Sequence, residues 1–409
     1  MHACRGCDST DLTTIFQVCN SPIAGSFPLA EEADSEVLMN MTLVICNACK
    51  LIQILETIPR EKLFEDYRYL SSVSATLRDH FKDYARYIAN NYTGHVVVEI
   101  GCNDGVLLRE LNEYGFKIIG VDPALNITGG FMGKRYYEYF SVDLARRIRE
   151  NDLTYIGAPR CSSILVTSSN TFAHIDNIQE ALEGVSILIG NSGTFIFEVN
   201  YAVDILKDSM FDLIYHEHIY YHTVTSLDNL LSRFRMKIVD VSWVPMHGGV
   251  IRVTAKSTNA NQSPTTNVYK FKKIEERIRV TSAYEWLHSY NSYLNYLETL
   301  SVGLLRRRQW SDKCKEKIVA YGAAGRANML LNHLVYLGTE IDYVVDESPE
   351  RYGRVLSKCH IPIYYPAHIY HDYPGTILIS AWTYSKEIKS KERYFDGSWV
   401  TIFDWVWDK

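Results

Sequence analysis

Eight consecutive residues, Tyr215-His216-Glu217-His218-Ile219-Tyr220-Tyr221-His222, hold three of the chain's 13 histidines, one carboxylate and three phenols. Imidazole titrates close to neutral pH, so it can take a proton from a substrate under ordinary conditions. A carboxylate or phenol beside it can fix its tautomer. The cluster therefore points to general acid–base chemistry, and the residues alone leave open the blander alternative of a loop of structural histidines. A zinc peptidase would need His-Glu-x-x-His on a helix. Here Tyr220 fills the fifth place, which excludes that reaction. Farther on, His247-Gly248-Gly249 lets backbone approach a ligand closely beside an imidazole.

A second set of residues could hold a metal. Of nine cysteines, four form two pairs, Cys4-Arg-Gly-Cys7 and Cys46-Asn-Ala-Cys49. Each pair can aim two thiolates at one ion from a tight turn, and two pairs complete a tetrahedral site. With all four ligands thiolate, no position stays open for water, so the expected ion is a structural zinc. Cys19, Cys102, Cys161, Cys314 and Cys359 are isolated, and the odd total argues against a disulfide framework.

These groups need elements to position them. Val96–Ile100 reads as a buried strand, Gly101 and Gly105 bracket a turn, and residues 106–114 read as a helix stopped at Gly115. A second strand ends at Asp122, 21 positions after Gly101. This is half of a doubly wound sheet, where the glycine turn meets a ligand and the later acid can take ribose hydroxyls. Residues 163–169 and 194–199 read as further strands, with residues 178–189 as a helix between them. The pattern returns at Gly322-Ala-Ala-Gly325, with Asp346 lying 24 positions after Gly322. That repeat predicts a second Rossmann-like unit. Residues 257–266 read as a linker, and residues 267–312 as one long amphipathic helical stretch. Apolar positions at Leu77, Phe81, Tyr84, Ala85 and Ile88 predict another helix.

Composition sets the outer limits. The chain has 409 residues, 47% hydrophobic and 22% charged, with a formal charge of -6. Mean hydropathy is -0.13. This is a globular composition, consistent with the α/β fold class that the two strand–glycine–helix units predict; it excludes global disorder and offers no basic field for a nucleic acid polymer. No apolar run reaches the ~18 residues of a membrane span, and the first residues carry no signal-peptide core. The expected setting is the cytoplasm.

The turn Glu99-x-Gly101-x-Asn103-x-Gly105 departs from the dinucleotide pattern and resembles motif I of the S-adenosylmethionine-dependent class I methyltransferases. Other segments extend the likeness: both cysteine pairs, Asp66-Tyr-Arg-Tyr69-Leu-Ser-Ser72, Tyr215-His-Glu-His218, His247-Gly-Gly249, Tyr321-Gly-Ala-Ala-Gly-Arg326-Ala-Asn328 and Val344-Val-Asp346. In this order they resemble the zinc-containing sugar C-methyltransferases of deoxysugar biosynthesis. The likeness covers essentially the whole chain. It implies a zinc-binding domain over residues 1–70, a methyltransferase domain over 71–256, and a linker helix with a C-terminal Rossmann-like domain over 257–409. It also implies S-adenosylmethionine as cofactor, held by Glu99, Gly101, Asn103, Asp104, Asp122 and Asn170.

The substrate so implied is a nucleotide-linked 4-keto-deoxysugar, carried on dTDP or GDP and methylated at C-3. Methylation at C-5 is the alternative; a nicotinamide oxidoreductase or a non-catalytic binding protein ranks lower. His218 inherits the role of base, with Glu217 orienting its ring, and Tyr215, His174 and Tyr69 complete the catalytic set. Tyr69, Tyr215, His247, Gly248, Arg326 and Asp346 are the expected substrate contacts. The expected assembly is a monomer or weak homo-oligomer. Several positions depart from the family: Gly101-Cys102 replaces a common Ala-Ser, Arg326-Ala327 a Lys-Gly, and Asn200 falls where relatives carry Pro-His.

Overall fold

The computed structural model describes residues 2–402 apart from 61–62, 64–69, 73, 93–95, 128–129, 153–162 and 310–315. Three sheets organise it. The first holds β1 (Leu12–Ser21), β2 (Met39–Cys46) and β3 (Ile52–Ile54), all antiparallel. The cysteine turns sit at its end, Cys4 and Cys7 before β1 and Cys46 and Cys49 around the β2–β3 turn.

The second sheet is the largest. Helix α1 (Ala75–Asn91) buries the five apolar positions read from its period. It is followed by β4 (Val96–Ile100), α2 (Val106–Glu113), β5 (Lys117–Val121), β6 (Lys134–Tyr136), α3 (Val142–Arg147) and β7 (Ile164–Ser169). Then come α4 (Ile178–Ile189), β8 (Thr194–Asn200) and α5 (Ala202–Lys207). β9 (Tyr220–Tyr221) leaves this sheet and pairs with β3 of the first. After α6 (Val224–Ser232), β10 (Met236–Val244) and β11 (Val250–Ser257) return as a hairpin. The spatial order is β10-β11-β8-β7-β4-β5-β6. β4 to β8 run parallel and β11 is antiparallel to both neighbours. Every residue of β4 is buried, as expected of a strand covered on both faces.

The stretch expected as one helix is two, α7 (Thr266–Ile278) and α8 (Ala283–Gln309). Arg279 takes φ +57°, a left-handed cap that ends α7. Trp286 then ties the break by donating from Nε1 to the Val280 carbonyl at 2.7 Å. Helical periodicity survives a short break, so the sequence pattern did not reveal it. On α8, Tyr290 stacks on Phe16 of β1 at 3.9 Å and meets Phe211 edge-on, so this helix joins the first sheet to the segment before the histidine cluster.

The third sheet is parallel throughout, in the order β14-β13-β12-β15-β16. It comprises β12 (Ile318–Tyr321), β13 (Tyr343–Val345), β14 (Ile363–Tyr364), β15 (Thr376–Ile379) and β16 (Ser398–Thr401), with α9 (Gly325–Tyr336) following the glycine turn. The repeat read from sequence is real in its hydrogen bonds. Asp122 accepts from the Asn103 N–H at 2.8 Å, and Asp346 accepts from the Ala323 N–H at 2.6 Å. In each unit the acid after the second strand closes the glycine turn that follows that unit's first strand. Among the described residues, no helix is long and apolar enough to cross a membrane.

Candidate active site

The carboxyl ends of the second and third sheets face one cavity of about 700 Å³. The segment between β1 and β2 forms its third wall through Ile23, Gly25, Phe27 and Pro28. Of the expected cofactor residues, Gly101, Asn103, Asp122 and Asn170 line the cavity. Of the expected catalytic residues, His174, Tyr215, Glu217 and His218 do so, and His247 and Arg326 join them. Tyr69 lies outside the described residues. The end of its loop is described, however: Ser71 N–H donates to Asn103 Oδ1 at 3.0 Å and Ser72 N–H to Asp104 Oδ2 at 3.2 Å.

The glycine turn is shaped for a bound molecule. Gly101 has φ +73°, and a Cβ there would overlap the Thr171 side chain. Only glycine holds this backbone without strain while packing this closely on Thr171. Glu99 is 3% exposed, and its Oε2 has no hydrogen-bond partner. Burial, then the neighbouring Asp122 and Asp104, pushes its carboxyl well above the usual range. Asn170 holds φ +55°, and its Oδ1 is likewise buried and unpaired. A glycine turn on the cavity wall, the Asp122 carboxylate beside it and the unpaired Asn170 Oδ1 fit a polar adenosyl ligand with hydroxyl and ammonium donors. S-adenosylmethionine, when bound there, supplies an electrophilic methyl group.

Of the cluster's three histidines only His218 faces the cavity. His216 and His222 are each 1% exposed. His216 donates from Nε2 to the Asn40 carbonyl at 3.0 Å, so the structural alternative holds for it. The His218 ring also hydrogen-bonds the Leu213 carbonyl. A carbonyl only accepts, so that ring nitrogen carries the hydrogen. Nε2 lies 2.9 Å from the Tyr215 hydroxyl, which donates to it when Nε2 is the unprotonated nitrogen. The Tyr215 ring stacks on the imidazole at 4.2 Å, and His174 meets it edge-on at 4.7 Å. Burial, then the nearby His174 and Arg326, holds His218 well below its ordinary pKa. It is therefore a neutral imidazole at neutral pH. His174 and His247 are each pushed down to about 4, chiefly by burial.

Glu217 differs from expectation. Its Oε1 accepts from the Gly25 N–H at 2.6 Å, tying the third wall to the cluster. The ring of His218 is instead oriented by Leu213 and Tyr215. The reason is the turn: His218 N–H bonds the Tyr215 carbonyl, which sends neighbouring side chains in different directions.

Two expected substrate contacts, Asp346 and Gly248, are not on the cavity wall, and a third, Arg326, is. Asp346 stays behind the wall, where Arg351 NH1 reaches both its oxygens at 3.0 Å. Gly248, at φ +95°, packs towards Met210 and Trp382. Arg326 lines the cavity, yet its head group is committed: Nε and NH2 lie 3.1 and 3.0 Å from Asp212 Oδ2. Trp382 Nε1 donates to the same oxygen at 2.8 Å, and the guanidinium lies 4.5 Å from the Trp382 ring centre. The sequence reading missed Arg351, Arg354 and Phe27, all on the cavity wall. No motif marks them, because their places follow from how the sheets meet.

Four thiols complete the picture at the far end of the first sheet. Cys4, Cys7, Cys46 and Cys49 place their sulfurs within 4.8 Å of one another. The Cys4–Cys49 and Cys7–Cys46 separations are 3.5 and 3.6 Å. Zinc–sulfur bonds of ~2.3 Å at tetrahedral angles need sulfurs ~3.8 Å apart, so the set fits zinc.

A glycine turn at the head of a parallel sheet, with an antiparallel strand inserted next to the edge strand, is the fold of an S-adenosylmethionine-dependent methyltransferase. Family profiles agree along the chain: a zinc binding domain over residues 4–64, a methyltransferase domain over 68–241 and a C-methyltransferase C-terminal domain over 245–403. The C-methyltransferase NovU of Streptomyces niveus is 29% identical over 397 residues, covering 96% of this chain and 92% of that protein. The chain thus carries, in order, the zinc binding, methyltransferase and C-terminal domains of an S-adenosylmethionine-dependent C-methyltransferase. Among solved structures, an S-adenosylmethionine dependent methyltransferase from Mesorhizobium loti is similar at TM-score 0.33 and 15% identity, covering 42% of this chain and 95% of its own. A SAM dependent methyltransferase from Archaeoglobus fulgidus is similar at TM-score 0.35 and 14% identity, covering 44% and 94%.

Proposed function

We propose that the chain methylates C-3 of a nucleotide-linked 4-keto-deoxysugar, with His218 as the base. The observation that carries this reading is the His218 ring itself: it lines the cavity, burial keeps it neutral, and the Tyr215 hydroxyl, also on the cavity wall, lies 2.9 Å from its Nε2. An unactivated C–H has no nucleophilic electron pair. A carbon beside a ketone becomes nucleophilic once its proton leaves, because the charge spreads to the carbonyl oxygen. Nε2 takes the C-3 proton, and the Tyr215 hydroxyl, released from Nε2, turns to donate to the enolate oxygen. One positioned base and one aimed donor are each typically worth about 10²–10³ in rate. The cavity's polar groups orient the sugar and its walls exclude water. Zinc, in a closed shell of four thiolates, takes no part in proton transfer and holds the first sheet. The nucleotide carrier, dTDP or GDP, stays attached throughout, and the domain limits at residues 70 and 256 separate the modules that do this work.

The test is mass spectrometry of nucleotide-4-keto-sugars incubated with the enzyme and S-adenosylmethionine, looking for a gain of one methylene unit. His218→Asn should drop turnover at least 100-fold with cofactor affinity intact. Turnover near wild type would remove His218 from the role. Without cofactor, the wild type should wash solvent deuterium into C-3. Exchange at C-5 instead would move the reaction to that carbon.

A further inference from the structure

The carboxyl end of β8 carries a polar side chain that none of the steps above uses. Side chains alternate along a strand, so Glu198 and Asn200 share one face. Glu198 is saturated. Its Oε2 accepts from His80 Nε2 and Ser169 Oγ, both at 2.8 Å. Its Oε1 accepts from Arg252 Nε at 2.9 Å and NH2 at 2.6 Å. Arg252 in turn lies over the Tyr84 ring at 4.1 Å. Nothing in this network is left for Asn200. That residue is 7% exposed, lines the cavity, and its Nδ2 has no hydrogen-bond partner. A buried amide nitrogen without a partner is costly, and native proteins rarely keep one without a use for it.

We propose that Asn200 is a specificity-determining residue whose carboxamide hydrogen-bonds an oxygen of the sugar when substrate fills the cavity. The proposal rests on the sugar reading above. A carboxamide carries donors and an acceptor on one planar group, which suits a hydroxyl, itself donor and acceptor. A site that pairs a substrate hydroxyl rejects the analogue lacking it far more strongly than an apolar wall rejects an extra group. Asn200 thus selects among 4-keto-sugars by where they carry their remaining oxygens.

The test compares wild type, Asn200→Ala and Asn200→Asp on nucleotide-4-keto-sugars that differ by one hydroxyl each. Asn200→Asp keeps the shape and removes the N–H donors. Both variants should lose kcat/KM roughly ten- to a hundredfold on the preferred sugar, mainly through KM, with the Kd for S-adenosylmethionine within about twofold of wild type. On the congener lacking the paired oxygen, wild type should fall to the level of the variants. Variants within twofold of wild type, or an equal loss on every congener, overturn the assignment. So does a parallel loss of cofactor affinity, which would make Asn200 a cofactor contact. A wild type inactive on every 4-keto-sugar overturns the sugar reading and this assignment with it. An active wild type with indifferent variants overturns this assignment alone.

Discussion

Asp212 and Arg326 form the ion pair on which the meeting of the two large sheets depends, and its removal has a calculable cost. The Asp212 side chain is fully buried and that of Arg326 is 15% exposed. One carboxylate oxygen accepts from Arg326 Nε and from Trp382 Nε1 and lies 3.0 Å from Arg326 NH2. Breaking such a pair from one side leaves a charge with no partner away from water, at about 3–5 kcal/mol. That is a large share of a typical total stability of about 5–15 kcal/mol. Asp212→Asn should therefore lower the urea midpoint by about 1–2 M. Arg326→Met should cost at least as much, because the orphaned carboxylate is the more deeply buried partner. The decisive measurement is the double variant, Asp212→Leu with Arg326→Met. Replacing both charges by apolar groups of similar size is often close to neutral. The double should thus be more stable than either single, a coupling that a denaturation cycle reads directly. Additive losses, or an Asp212→Asn loss below about 1 kcal/mol, would show that the pair is not a buried tie.

Gly101→Ala puts a Cβ into Thr171 and forces a residue with a side chain to hold φ +73°; cofactor affinity by calorimetry should fall about tenfold or more, and an unchanged value would remove the turn from the cofactor site. Because the His218 pKa is lowered, its neutral form persists as pH falls, so the acid limb of kcat should lie below the ordinary histidine value near 6.5. A limb at or above that value would contradict a buried, desolvated base. Stripping zinc with a chelator should abolish sugar turnover, since the segment that bonds Glu217 hangs from the zinc-bound sheet, and should leave cofactor binding to the second sheet measurable; full turnover in protein shown to be metal-free would refute that coupling.

The legible parts of this chain were those whose signal is local. Two Cys-x-x-Cys turns, the Val96–Ile100 strand with its glycine turn, and the helix period at Leu77–Ile88 each declare themselves within a few residues. So did the likeness of Gly322–Asp346 to Gly101–Asp122, because the same closing hydrogen bond demands the same residue types. What tertiary structure alone decided is which side chains meet. His218 and His216 stand two apart in one motif, yet one lines a cavity and the other bonds the Asn40 carbonyl. Glu217 was expected to serve its neighbour and instead reaches Gly25, nearly two hundred positions earlier. Arg326 lines the cavity and is also held by Asp212, and Asn200, noted in the sequence only as a departure from the family pattern, lines the cavity with an unpaired nitrogen. Local periodicity fixes each element because its hydrogen bonds close within the element or with a neighbour of matching pattern. Partners across sheets are set by how three separate layers dock, and no stretch of neighbouring residues encodes that.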